Sequence, residues 1–163
     1  MHKLDHHLKF INGLQKRDNA IMYINLFWNI QIDYMPEPMS DLQQKDHWQT
    51  PRETLERGAG DCEDIAIGKY FDLQQLGFKP QLAYGFANGQ AHMLCLCDGH
   101  RLDSQHEPTT LAFSFDDSTT YVNGVDNHTP SSTIFPQWAH IISAHRTPDS
   151  DRQIERLAHV TGL

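Results

Sequence analysis

The chain has 163 residues, with 13 Lys and Arg against 21 Asp and Glu, for a formal net charge of −8 with histidine neutral. A hydrophobic fraction of 39% with 10% aromatics excludes a disordered chain, and the apolar runs are far too short to span a bilayer. The acidic balance, without a single block of Lys and Arg, argues against a nucleic-acid binder and for proteins or small molecules as partners. One domain over residues 1–163 is the expected organisation, large enough to fold without disulfide staples.

Leu4, Leu8, Ile11 and Leu14 fall at helical spacing, and Asp18 precedes a second helical run through Ile21, Ile24, Phe27, Trp28 and Ile30. Pro36 and Pro38 end this region, and residues 41–49 read as a polar connector. Thr50, Pro51 and Glu53 then give a cap, a first-turn proline and a capping-box glutamate in the expected order, with Gly58 as the stop. The next helix opens at Gly60-Asp61-Cys62, carries Ile65, Ala66, Tyr70, Leu73 and Leu76 along one broad stripe, and ends at Gly77.

After Pro80 the periodicity changes to extended. QLAYGFA, Asn88-Gly89, AHMLCLC, Asp98-Gly99 and HRLDS predict two successive hairpins with tight turns. Further short strands and loops follow, and residues 148–160 predict a terminal helix. Ile134 to Ile142, with Trp138, read as core in preference to a groove lining. Helices followed by antiparallel strands indicate an α+β fold, with N-terminal helices packed on an antiparallel sheet.

Three cysteines, Cys62, Cys95 and Cys97, leave at least one thiol free. Cys62 opens a helix directly after Gly58-Ala59-Gly60, where unpaired backbone N–H groups and the helix dipole favour a thiolate. The glycines allow the backbone to approach a substrate closely, and the Cys62 N–H is placed to stabilise an oxyanion. His92 lies on the predicted strand AHMLCLC, on the face opposite Met93, Cys95 and Cys97. A two-residue Asp98-Gly99 loop pairs Leu94 with Asp103 and His92 with Gln105, so Asp103 becomes a diagonal neighbour of His92, about 7–8 Å away at the backbone. A carboxylate and an imidazole bridge that gap, which completes a Cys62, His92, Asp103 arrangement. A one-residue bulge would exchange Asp103 for Gln105 as third member.

Asp61, Glu63 and Asp64 surround Cys62. Asp61 as N-cap with two first-turn acids is ordinary helix stabilisation, yet carboxylates beside a thiol oppose its ionisation, and a bound cation would remove that penalty. Carboxylate oxygens suit Ca²⁺ better than zinc, and helical spacing turns Asp61 and Glu63 off the face that presents Cys62. Of the eleven histidines, His2, His6 and His7 lack an accompanying acidic motif and read as a solvated face.

The stretch WQTPRETLERGAGDCEDIAIGKYFDLQQLGF, Trp48 to Phe78, followed by Ala91-His92-Met93-Leu94 and Leu102-Asp103, resembles the bacterial transglutaminase-like cysteine proteinases, nearest the LapG type. The likeness reaches back through residues 24–29 and 46–48. Ile65 stands where an aromatic is common, and Ser104 where the family has asparagine. The resemblance implies a papain-like or transglutaminase-like fold with Cys62 as nucleophile, His92 as base, Asp103 as third member, and Asp61 and Glu63 as calcium ligands. It also implies a periplasmic, calcium-dependent protease that clips the N-terminal region of a large surface adhesin to release biofilm cells. Sequestration on an inner-membrane cyclic-di-GMP receptor is the implied control. The first ten residues show no secretory signal, which leaves either a cytosolic protein or one whose signal has been removed, and the periplasm is what the resemblance implies. The residues themselves leave two other readings open: a transferase or amidase using the same thioester, and a non-catalytic calcium-binding interaction module.

Overall fold

The computed structural model describes residues 2–14, 19–36 and 47–145. Helix α1, Lys3–Leu14, buries Leu4, Leu8, Ile11 and Leu14. Helix α2, Ala20–Gln31, buries Ile21, Ile24 and Trp28, and the Asn19 side chain does not cap its first turn. Helix α3, Pro51–Arg57, starts from the capping box of Thr50 and Glu53 and stops at Gly58, whose φ of 73° is the left-handed conformation that glycine adopts without strain. Helix α4, Cys62–Gln75, is capped by Asp61. Asp18, Pro38, residues 41–46 and the predicted helix over 148–160 lie outside the described residues.

Two small strands tie the helical layer together. Strand β1, Asp33–Tyr34, pairs in parallel with β2, Ala59–Gly60, so that Tyr34 stands opposite Gly60, two residues before Cys62. The large sheet is antiparallel with strand order β5-β4-β3-β6-β7-β8: β3 Gln81–Ala87, β4 Gln90–Cys97, β5 His100–Leu102, β6 Thr110–Phe115, β7 Thr119–Val122 and β8 Val125–Pro130. Both predicted hairpins are present, and the second follows the predicted register as far as Cys95 opposite Leu102, where β5 ends before the expected pairs of Leu94 with Asp103 and His92 with Gln105. Asn88-Gly89 and Asp98-Gly99 have positive φ at both turn positions, and so does a third pair, Asn123-Gly124, between β7 and β8.

Helix α4 lies against one face of this sheet, and the core runs through Leu82, Met93, Cys95, Leu102 and Phe115. Helix α5, Pro136–His145, closes it. Trp138, fully buried, packs edge-on to Tyr70 and Phe115. That segment is core, as expected.

The expected surface position of His7 is corrected. His7 belongs to no solvated face: it is buried, and its Nε2 lies 2.8 Å from both carboxylate oxygens of Asp72, which also accepts from Trp28 Nε1 at 2.7 Å. The partner that draws the ring inward is sixty-five positions away on α4, beyond the reach of local spacing.

Candidate active site

The short β5 creates the opening in which the thiol sits. Across the Asp98-Gly99 turn Cys97 pairs with His100, so the backbone groups of odd-numbered β4 residues aim toward β5. Strand β5 ends at Leu102, opposite Cys95, and the Met93 N–H therefore meets no strand on that side. The Cys62 sulfur accepts it instead. The first residue of α4 therefore lies beside the residue that follows His92. As the first residue of α4, Cys62 also presents one of the backbone N–H groups that a helix leaves unpaired.

Beyond Leu102 the chain leaves the sheet, and Asp103 turns onto His92. His92 Nε2 lies 2.6 Å from Asp103 Oδ1, and the Gln105 N–H donates to the same oxygen at 3.1 Å. Thr109 Oγ1 reaches the second oxygen at 3.4 Å, and Asn29 of α2 donates to the Asp103 carbonyl at 2.9 Å. Burial alone would raise the Asp103 carboxyl. The bond from His92, the Gln105 amide and the charges of His92 and Lys69 outweigh it and hold the carboxyl below its usual range. An ionised Asp103 can only accept, so His92 Nε2 is the donor in this bond, and in the neutral ring Nδ1 presents the lone pair. Asp103 therefore holds the place beside His92, and Gln105 serves it through the backbone.

Cys62 itself is buried and its thiol is pushed up, first by burial and then by the Glu63 charge, against the lowering effect of the Met93 amide. This is the penalty expected from the flanking acids. The expectation that Glu63 turns away from Cys62 is not met, because its carboxylate lies 3.4 Å from the thiol. In the first turn no preceding turn separates neighbouring side chains, and both fan out past the helix end. Burial, a hydrogen bond with Asp61 and the Asp61 charge push the Glu63 carboxyl up to about 9.

Asp64 has a purely architectural place. It completes the α4 capping box with Asp61 and accepts from the Gln49 backbone N–H at 2.8 Å and Gln49 Nε2 at 3.1 Å. A side chain at Gly60 would meet Asp64 Cβ at 2.8 Å. Gly60 is therefore needed for this internal packing.

Sequence reasoning overlooked Tyr34. Its hydroxyl is pushed up to about 12, by burial first and then by the negative groups Cys62, Asp61, Glu63 and Asp103. Tyr34 thus lies within electrostatic reach of the thiol and of Asp103, delivered there by the pairing of β1 with β2. A two-residue parallel bridge has no sequence signature. Asn29 and Lys69 were also missed: both touch the backbone around Asp103 from helices far away in sequence.

The thiol at the first residue of α4 and the histidine–aspartate pair on β4 and at the exit of β5 are thus carried by one α+β fold. The solved structures that share this fold include LapG from Legionella pneumophila. Its EGTA-treated form superimposes with a TM-score of 0.70 at 24% identity over 83% of this chain and 84% of that one. Another structure of LapG gives 0.69 at 24% identity, over 83% of each chain. The calcium-bound form gives 0.68 at 24% identity, over 85% of this chain and 86% of that one. No protein-family profile and no curated protein matches the sequence. The likeness establishes the α+β transglutaminase-like fold.

Proposed function

We propose that the protein is a calcium-dependent cysteine endopeptidase using Cys62, His92 and Asp103. The observation that carries this reading is the clamp of His92 Nε2 on Asp103 at 2.6 Å, on the residue next to the amide that holds the Cys62 sulfur. The clamp leaves Nδ1 to take the thiol proton, and the thiolate attacks a peptide carbonyl while the Cys62 N–H stabilises the oxyanion. His92 then protonates the leaving amine as the C–N bond breaks, and water hydrolyses the thioester.

Asp61 and Glu63 fit a calcium ion by their chemistry. Two carboxylates packed together in a buried place, one of them pushed up to about 9, form an electrostatic debt that a hard cation removes. Among the described residues no set of three His, Cys, Asp or Glu side chains surrounds a metal. The further ligands would be backbone carbonyls or water, which calcium readily takes. When bound, the ion would lower the negative field that opposes thiolate formation.

The substrate proposed is the N-terminal region of a large surface adhesin, the compartment the periplasm, and the controlling partner an inner-membrane cyclic-di-GMP receptor. These three follow from the motif resemblance of Trp48 to Phe78. The test is incubation of an adhesin N-terminal fragment from the source organism with the protein in calcium, in chelator, and as Cys62→Ala. Cleavage requiring both calcium and Cys62 is expected. A cognate fragment that binds yet stays intact throughout favours an interaction module, and incorporation of a labelled amine favours a transferase.

A further inference from the structure

Lys69 is a buried ionisable group near this site to which the proposed chemistry gives no task. It lies on α4 seven positions after Cys62, two turns along the same helical face, and its relative exposure is 0%. A fully buried ammonium is costly, and such groups persist where something compensates. Lys69 makes no direct ion pair among the described residues. Its hydrogen bond is to the Leu102 carbonyl at 3.4 Å, the last residue of β5 and the one before Asp103. The groups that share its field are the Cys95 thiol on β4 and the Asp103 carboxylate. Asp103 in turn faces His92 from β4, Lys69 from α4 and Tyr34 from β1.

We propose that Lys69 is a positioning residue for the His92–Asp103 pair: its ammonium pins the Leu102 carbonyl where the chain leaves the sheet and sets a positive charge behind the Asp103 carboxylate. The inference rests on the catalytic reading above. One helix then carries both the thiol and the tether of the third group, so that Cys62, His92 and Asp103 share a common frame even though Asp103 lies outside the strand. Leu102 could end β5 without a lysine beneath it, and an apolar side chain would fill the core at lower cost. The charge acts on the Asp103 carboxylate as well as on the Cys95 thiol, and the bond to the Leu102 carbonyl sets it next to Asp103 in the chain.

The test uses Lys69→Met in the full chain, with two readouts that need no substrate. The first is the proton NMR signal of the His92 Nε2–H held by Asp103, assigned by its loss in His92→Ala and Asp103→Asn. The second is the rate of Cys62 alkylation by iodoacetamide, localised by peptide mass mapping. Lys69→Met is expected to keep or raise the melting temperature, to lose or broaden the Nε2–H signal, and to slow alkylation roughly tenfold, within the hundredfold that a misplacement of ~1 Å costs. Should it fail to fold, Lys69→Gln, which keeps a donor for the Leu102 carbonyl without the charge, carries the same test. A folded variant with an unchanged Nε2–H signal and alkylation rate overturns the proposal. Wild-type alkylation indifferent to His92→Ala would instead overturn the catalytic reading, and this inference with it.

Discussion

His92 and Asp103 meet at 2.6 Å although Asp103 stands one residue past the end of β5, so the pair is made by a strand that stops and not by one that continues. Ladder geometry alone would place Asp103 diagonally and Gln105 directly across from His92. The chain's exit brings the carboxylate in, while Gln105 contributes its backbone N–H. Asp103→Asn is therefore expected to lower kcat for peptide cleavage by on the order of 10²–10⁴-fold with little change in KM. Gln105→Ala, which keeps the backbone donor, should stay within a few-fold of wild type. Steady-state kinetics on the two variants decides, and the reverse order of effects would make Gln105 the third member.

The same pair has a stability signature in acid. Its partners hold the Asp103 carboxyl below its usual range, against burial. A group whose folded pKa is depressed adds stability above its unfolded value of about 3.9, and that contribution disappears as the pH falls through the folded value. The melting-temperature gap between wild type and Asp103→Asn should thus be widest between about pH 5 and 7 and shrink below about pH 4. Other acids titrate alike in both proteins and cancel in the gap. A gap that stays constant down to the acid limit would mean that the Asp103 charge contributes nothing to folding.

The hairpins, the capping boxes of α3 and α4, and the nearness of Asp103 to His92 were legible because each is local or rests on strand arithmetic. Asn88-Gly89 and Asp98-Gly99 impose turns whose two central residues carry positive φ, and the register of β3, β4 and β5 follows. What escaped depends on distant contacts. His7 reads as a surface histidine until Asp72 is seen beneath it, and Tyr34 has no visible task until β1 pairs with β2. Lys69 interrupts an apolar stripe and looks like its solvated edge. Glu63 was misjudged because helical spacing describes side chains within a helix better than those at its first turn.

The buried cluster of His7, Trp28 and Asp72 joins α1, α2 and α4 through one carboxylate. Removing that carboxylate leaves the Trp28 indole N–H and the His7 ring without their acceptor in the interior. Asp72→Ala is expected to cost about 3–5 kcal/mol, as breaking a buried pair does. Denaturant unfolding measures this, and Asp72→Asn, which retains one acceptor oxygen, should cost less. Equal losses would show that the packing volume, and not the hydrogen bonding, joins the three helices.

Gly68 sits at the crossing of α2 on α4, where a Cβ would stand 2.3 Å from Cη2 and Cζ3 of Trp28. Two effects of Gly68→Ala oppose each other. Within a helix, alanine is favoured over glycine by up to about 1 kcal/mol. The indole edge cannot recede easily, because its Nε1 is held at 2.7 Å by Asp72 and the ring is fully buried. Overpacking of this kind costs about 1–3 kcal/mol, so the net effect should be destabilising. Trp28→Phe removes the outer ring atoms in question, together with the bond to Asp72, and is destabilising by itself. In that background, however, Gly68→Ala should become neutral or stabilising. A double-mutant cycle read by chemical denaturation therefore expects a coupling that changes the sign of the Gly68→Ala effect. Additive losses would mean that α2 shifts as a unit to admit the methyl group, and that this helix crossing is not what fixes the position of α4 and of the thiol at its first residue.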